Sequence, residues 1–191
     1  MKYFFSTITF LFVFCGYAQK PCDFSTNVVD SLGSYKTTKE YLLYEKNFAG
    51  NSTFLFASFI LADEKPLFNL QLIEKSADFI KIKCFDKSSK IYVQLANNKI
   101  VTLSFVNEES CGTLVRDDKG LNNRILTGYF SISKMDYVEL KNSAVSFIRI
   151  KFSTDASDYI FKREFKSELN NEVYEPESYF INYLHCLEAK N

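Results

Sequence analysis

Alternating and continuous apolar runs, separated by short polar turns, fill most of this chain. From Phe79 to Val106 the pattern reads FIKIKCF, DKSSK, IYVQLA, NN, KIVTLSFV. Three β-favouring runs with two turn signals between them predict an antiparallel meander. Ile80, Ile82 and Cys84 fall on one face of the first run, with Lys81 and Lys83 opposite. Asn97-Asn98 predicts a tight turn, because Asn tolerates the left-handed backbone that a two-residue hairpin loop needs. The other elements are expected as strands and two short helices added to this meander.

Upstream, a short strand around Asn27–Val29, a turn at Asp30–Gly33 and a strand at Ser34–Thr38 are expected. Asn47–Thr53 reads as a polar loop. Phe54–Leu61 (FLFASFIL) is a continuous apolar run, as in a strand buried on both faces or one lining an apolar cavity. Ala62–Pro66 reads as a turn. Leu67–Glu74 alternates, with Phe68, Leu70 and Leu72 on one face and Asn69 and Gln71 on the other, so it pairs with its predecessor as a hairpin.

Downstream, Asn107–Arg124 reads as a polar loop and Ile125–Ser131 as a strand. Ser133 caps a short helix, Lys134–Leu140, expected to turn Met135, Val138 and Leu140 inward. Val145–Phe152 and Tyr159–Phe165 read as strands, the second with Tyr159, Phe161 and Phe165 on one face. Pro176 opens a C-terminal helix whose apolar stripe is Tyr179, Phe180, Tyr183, Leu184 and Leu187, with Cys186 at its edge. The expected fold class is α+β, predominantly β. It is a curved antiparallel sheet, arranged as a meander, a sandwich or a partial barrel, with a short helix near 133–141 and a C-terminal helix near 176–188.

At 191 residues the chain is long enough for one domain with a real core, and 20 Phe and 12 Tyr supply it. The first residues change the picture of where it works. A basic start at Lys2, an apolar run from Phe4 to Phe14 and the small residues Gly16 and Ala18 form a secretory leader, residues 1–18, with cleavage after Ala18. The run is shorter than the ~20 residues of a spanning helix. Residues 19–191 are then the mature domain, expected in the periplasm or outside the cell. Phe14 stands where a lipoprotein box before Cys15 has a small residue. Loss of Lys2 leaves 22 basic against 23 acidic side chains. That balance argues against nucleic acid and anionic membrane partners.

Four cysteines remain after cleavage, an even number in an exported chain, which suggests disulfides. The preferred pairing joins Cys22 to Cys186, tying the termini, and Cys84 to Cys111, pinning the long loop to the first meander strand. One histidine and no metal-type cysteine spacing argue against a structural zinc site.

Catalytic patterns are incomplete. His185 is the only histidine, and no Gly-x-Ser-x-Gly elbow accompanies it. It is expected on a helix surface, about 100° round from Cys186. Ser131-Ile132-Ser133-Lys134 matches Ser-x-x-Lys without the further motifs of penicillin-recognising enzymes. Glu108, Glu109, Asp117 and Asp118 lack the spacing of a calcium loop and read as a solvated loop. Asp30-Ser31-Leu32 resembles a bacterial O-glycosylation site, and Asn51-Ser52-Thr53 fits the N-glycosylation sequon. No residue is singled out as catalytic or metal-ligating, no cofactor is implied, and the ligand-binding residues are left open.

Three stretches resemble small exported flavobacterial-type proteins of unknown function. They are Asn27-Val28-Val29-Asp30 with Lys36 and Thr38, the hairpin Leu95-Ala96-Asn97-Asn98-Lys99-Ile100-Val101-Thr102-Leu103, and Leu140 leading into Ile148-Arg149-Ile150. That group tends to have an Asp-x-Phe-Thr-Gly turn where this chain has the shorter Asp30-Ser31-Leu32-Gly33, and Asn-Gly where it has Asn97-Asn98. The resemblance implies an envelope or secreted location and a mainly β domain, and it carries no catalytic residues. The leading expectation is therefore an exported, non-enzymatic accessory or interaction domain of the cell envelope, with an unknown protein, a glycan or a small apolar ligand as partner. The alternatives are a carrier with a cavity lined by Phe54, Phe56 and Phe59, and a secreted hydrolase using paired carboxylates.

Overall fold

The computed structural model describes residues 20–31 and 33–188. The leader, its cleavage site and Leu32 lie outside the described residues. The chain runs β1 (Phe24–Asp30), β2 (Gly33–Thr38), β3 (Tyr41–Phe48), β4 (Asn51–Ala62), β5 (Lys65–Ser76), β6 (Cys84–Phe85), β7 (Lys90–Leu95), β8 (Ile100–Phe105), β9 (Ser110–Cys111), β10 (Thr113–Arg116) and β11 (Asn122–Ser131). It continues through helix α1 (Lys134–Asn142), β12 (Val145–Lys151), β13 (Ala156–Ile160), β14 (Phe165–Lys166) and β15 (Val173–Tyr174). The short helix α2 (Tyr179–Tyr183) follows, between 3₁₀ turns at Pro176–Ser178 and Leu184–Leu187. One antiparallel sheet takes the order β1-β2-β4-β5-β11-β8-β7-β12-β13, with β3 also on β4 and β10 also on β11. It is the expected α+β fold: a single large curved sheet, not closed into a barrel, with two short helices.

The core occupies the inner face of this sheet. Phe59 of β4, Phe68 of β5, Phe130 of β11, Leu103 of β8, Val93 of β7 and Ile150 of β12 belong to one buried cluster, closed by Leu140 of α1 and by Tyr179, Phe180 and Leu184. Period-2 alternation explains this on β5, where Phe68, Leu70 and Leu72 are buried and Asn69 and Gln71 face outward. Phe85 stacks on Phe152 at 5.4 Å and meets Phe130 edge-on at 5.2 Å. It lies directly over Gly128, where an added Cβ would fall 2.6 Å from its ring. Gly128→Ala should therefore destabilise by about 1–3 kcal/mol through overpacking, read as a lower thermal midpoint; an unchanged midpoint would show that the ring moves freely.

Turn chemistry sets the hairpins. Asn98 is left-handed (φ 67°), and the Asn97 side chain accepts from the Lys99 N–H at 3.0 Å. Ser133 caps α1, its hydroxyl accepting from the Asp136 N–H at 3.1 Å. Two expected loops are instead strand. Ala49 and Gly50, both at positive φ, make a two-residue turn, so β3 and β4 run on through most of 47–53. In the long loop β10 pairs with β11, but all four of its residues are exposed, so it leaves no apolar alternation to read.

Other expectations are corrected. Residues 77–83 form no strand; only Cys84–Phe85 pairs, with Ser110–Cys111, and Phe79 is 81% exposed. Both edges of β5 are already taken, by β4 and β11, so this run has no free edge there to join. It is held by other means: Lys83 pairs with Glu74, the Gly112 N–H donates to the Lys83 carbonyl, and the buried Arg124 donates to the carbonyls of Ile80 and Gly112. On α1, Met135 is 82% and Val138 57% exposed, while Leu140 is buried as expected. Tyr137 docks that helix instead, its hydroxyl donating to the Leu184 carbonyl at 2.9 Å. The strand from Tyr159 stops at Ile160. Tyr159 and Phe161 are buried, but Phe165 belongs to the separate β14–β15 hairpin.

Candidate functional site

A deep concavity forms where the chain leaves β2 for β3. Both strands pair with the same edge of β4, β2 near Ile60 and β3 from Ala57 onward. The break between them at Lys39-Glu40 would leave the Phe59 N–H unpaired, and the Thr38 hydroxyl accepts it at 2.9 Å. The gap opens a cleft of about 470 Å³. Four separate stretches build it: 20–23, the 38–41 break, 172–174 and the C-terminal helix.

Four tyrosines, Tyr41, Tyr174, Tyr179 and Tyr183, cluster at this cleft among charged and polar residues. Tyr41 is central, meeting Tyr174 edge-on at 5.1 Å, Tyr179 at 5.0 Å and Tyr183 at 5.3 Å. The Glu175 N–H donates to the Tyr41 hydroxyl oxygen at 2.7 Å, which anchors the last segment on β3. Tyr174 donates to Glu172 at 2.8 Å and accepts from Asn170 at 2.7 Å. Tyr179 is fully buried; its hydroxyl lies beside Thr38 without a bond of hydrogen-bond length. The rim carries two ion pairs, Lys20–Glu175 at 2.6 Å and Lys39–Asp23 at 3.3 Å. Glu40 and Glu172 are exposed on it. The Cys22–Cys186 disulfide, with Cα atoms 5.6 Å apart, ties the 20–23 wall to the C-terminal segment.

Burial raises Tyr41 from 10.0 to about 12, despite the opposing Glu175 N–H. Burial is likewise the main cause of the upward shifts of Tyr174, Tyr179 and Tyr183. The cleft therefore presents neutral phenols at physiological pH. A phenol whose folded value exceeds its unfolded one contributes stability that is fully present below pH 10.0 and is lost as the pH rises through the folded value. The urea midpoint should accordingly hold up to pH 10 and fall towards pH 12; a flat profile across that interval would mean that these phenols are hydrated.

The chain matches no protein-family model, no curated protein and no solved structure. Its site has to be argued from its own residues.

Those named from the sequence are dispersed. Cys22 is bonded to Cys186, and Cys84 to Cys111, across the β6–β9 pair. His185 is half-buried rather than on an open helix face: its Nε2 lies 3.2 Å from the Cys22 sulfur and 3.8 Å from that of Cys186. The ring thus packs on a disulfide. Ser131 ends β11 and donates to the Ser104 carbonyl, and Lys134 is exposed at the start of α1. In the acidic loop Asp117 accepts from the Leu121 N–H at 2.9 Å and pairs with Lys75 at 2.5 Å, contacts that hold its carboxyl at about 2. Glu108, Glu109 and Asp118 are exposed, and Asp117 is half-buried. Asn51 sits exposed at the β3–β4 turn, and Asp30 and Ser31 are exposed at the β1–β2 turn.

Phe54, Phe56 and Phe59 do not line one cavity. The first two stack at 6.4 Å on the outer face of β4, whereas Phe59 points into the core. Sequence reasoning missed β3, and with it Tyr41. The available signal was YLLYEK at 41–46, just past Lys39-Glu40, a run rich in β-formers. A second, shallower hollow of about 240 Å³ lies on the outer sheet face between Tyr92, Gln94, Ile100, Phe147 and Arg149.

Proposed function

We propose that the protein is an exported, non-enzymatic binding domain of the cell envelope and that the tyrosine cleft is its binding site. One observation carries this reading: four separate stretches, from the two ends of the described chain, converge on a single tyrosine-bearing cleft with a polar rim, and a disulfide locks two of its walls. Cleft size agrees with small-molecule sites, which run to about 300–1,000 Å³ and combine aromatic walls with a few placed polar groups. Export is supported by the leader pattern and is compatible with two disulfides. Among the described residues no helix is long and apolar enough to cross a membrane. The resemblance to small exported flavobacterial-type proteins points to the same location. A non-enzymatic role is favoured because the sole histidine rests against a disulfide. The apolar-carrier alternative loses its motive where Phe59 fills the core.

The test is the mass of the protein recovered from its native host, without reductant, under native and then denaturing conditions. The denatured mass should correspond to a chain beginning at Gln19 with two disulfides. A small-molecule increment seen only under native conditions should disappear in Tyr183→Ala. An uncleaved chain would overturn the export reading, and an increment that survives Tyr183→Ala would move the binding site elsewhere.

A further inference from the structure

We infer that the tyrosine cleft takes a carbohydrate, specifically neutral or N-acetylated pyranose units. This rests on the cleft being the binding site and names its ligand class.

Tyr41 is in edge or tilted contact with Tyr174, Tyr179 and Tyr183, with centroids 5.0–5.3 Å apart. Rings this close leave no space between them for a cation, as an aromatic cage would. Tyr179 is buried behind the others, and the half-buried Tyr41, Tyr174 and Tyr183 line the cleft as an amphipathic aromatic wall, each with an apolar ring and a neutral hydroxyl. A pyranose matches such a wall. Its axial C–H groups present an apolar face to the rings, and its hydroxyls project sideways towards polar groups.

Lys20 and Lys39 are each engaged by a carboxylate, Glu175 and Asp23. Glu40 and Glu172 add exposed negative charge, and among the described residues no lysine beyond Lys20 and Lys39 lines the cleft. Phosphate, sulfate or uronate groups would meet net repulsion there. A wholly apolar ligand would strip water from the rim ion pairs without replacing their hydrogen bonds, which is unfavourable. A neutral polyol avoids both penalties, since its hydroxyls donate to carboxylates and accept from ammonium groups.

The test is an amide-resolved NMR titration of the exported protein. The probes are cello-, manno- and chito-oligosaccharides, an oligogalacturonate, and tetramethylammonium chloride. At least one neutral or N-acetylated oligosaccharide should shift resonances of 38–41, 172–175 and 179–183, with a Kd in the range of about 1 mM or tighter. Oligogalacturonate should bind at least tenfold more weakly. Tyr183→Phe should keep the affinity within about threefold, because it retains the ring, and Tyr183→Ala should weaken it tenfold or more. If Tyr183→Ala does not fold, Glu40→Lys at the exposed rim replaces it, with the expectation that oligogalacturonate binding tightens at least threefold. Cleft shifts with tetramethylammonium and none with any sugar would overturn the carbohydrate assignment while keeping the cleft as the site. Sugar-induced shifts confined to another surface, or no shifts with any probe, would overturn both.

Discussion

Replacing Cys22 and Cys186 together by alanine is expected to lower stability by about 5 kcal/mol, the largest effect foreseen for any single feature of this fold. The bond spans a sequence separation of 164, nearly the whole described chain. Closing so long a loop removes much of the entropy of the unfolded chain, and the effect grows with the logarithm of loop length. The Cys84–Cys111 bond spans only 27 and should contribute about 3.5 kcal/mol by the same reasoning. Alanine at both positions is the informative change, because a single substitution would leave a thiol beside His185. For a domain of this size the loss corresponds to a fall in Tm of roughly 10–20 °C. Differential scanning calorimetry of the double variant beside the parent checks it. A difference below about 1 kcal/mol would mean that the termini are not crosslinked in the native protein or that the unfolded chain is already compact. The same variant should weaken ligand binding at the cleft, since the disulfide ties the 20–23 wall to the C-terminal segment.

Phe59→Ala should cost about 3–5 kcal/mol, the range for deleting a large buried aromatic. Phe59 is 0% exposed. Its ring stacks on Tyr179 at 5.0 Å and lies 5.7 Å from Phe180 and 5.9 Å from Phe68. It therefore couples the central strand to the C-terminal helix that forms one wall of the cleft. Removing it leaves a void that these rings cannot fill without shifting, and it takes support from behind Tyr179. Equilibrium urea unfolding measures the cost. A loss below about 1 kcal/mol would reveal a pre-existing cavity at Phe59 and revive the apolar-carrier reading, because truncating the wall of an empty space creates little new void.

Several elements were legible from local pattern alone. The β4–β5 hairpin follows from FLFASFIL, the ADEKP turn and the alternation after it. Its turn residues, Asp63 and Glu64, are both left-handed. The β7–β8 hairpin follows from Asn97-Asn98, and the start of α1 from Ser133. The first meander strand was misread for an equally physical reason. FIKIKCF has the alternation of an amphipathic strand, but alternation says only which face is apolar, not whether a neighbour's edge is free. Met135 and Val138 were misplaced because a short, mostly polar helix defines no clear stripe; Tyr137, which carries the docking hydrogen bond, was not among the residues expected to face inward. The cleft was not legible at all. Its tyrosines are ordinary strand and helix residues in their own segments, and no local motif links Tyr41 to Tyr174, Tyr179 and Tyr183.

The sequence by itself determined the class of the fold, most strand positions and the turns between them, because these depend on residues within a few positions of one another. Alternation, β-branching and left-handed turn residues act over that range. Tertiary structure alone decided which edges pair, so that 77–83 stays out of the sheet while the exposed β10 joins it. It also decided that two strands share one edge of β4 with a gap between them. That gap and the return of the C-terminal segment bring residues more than 130 positions apart onto one surface. Such proximity arises from closing long loops around a common core, and local periodicity carries no record of it.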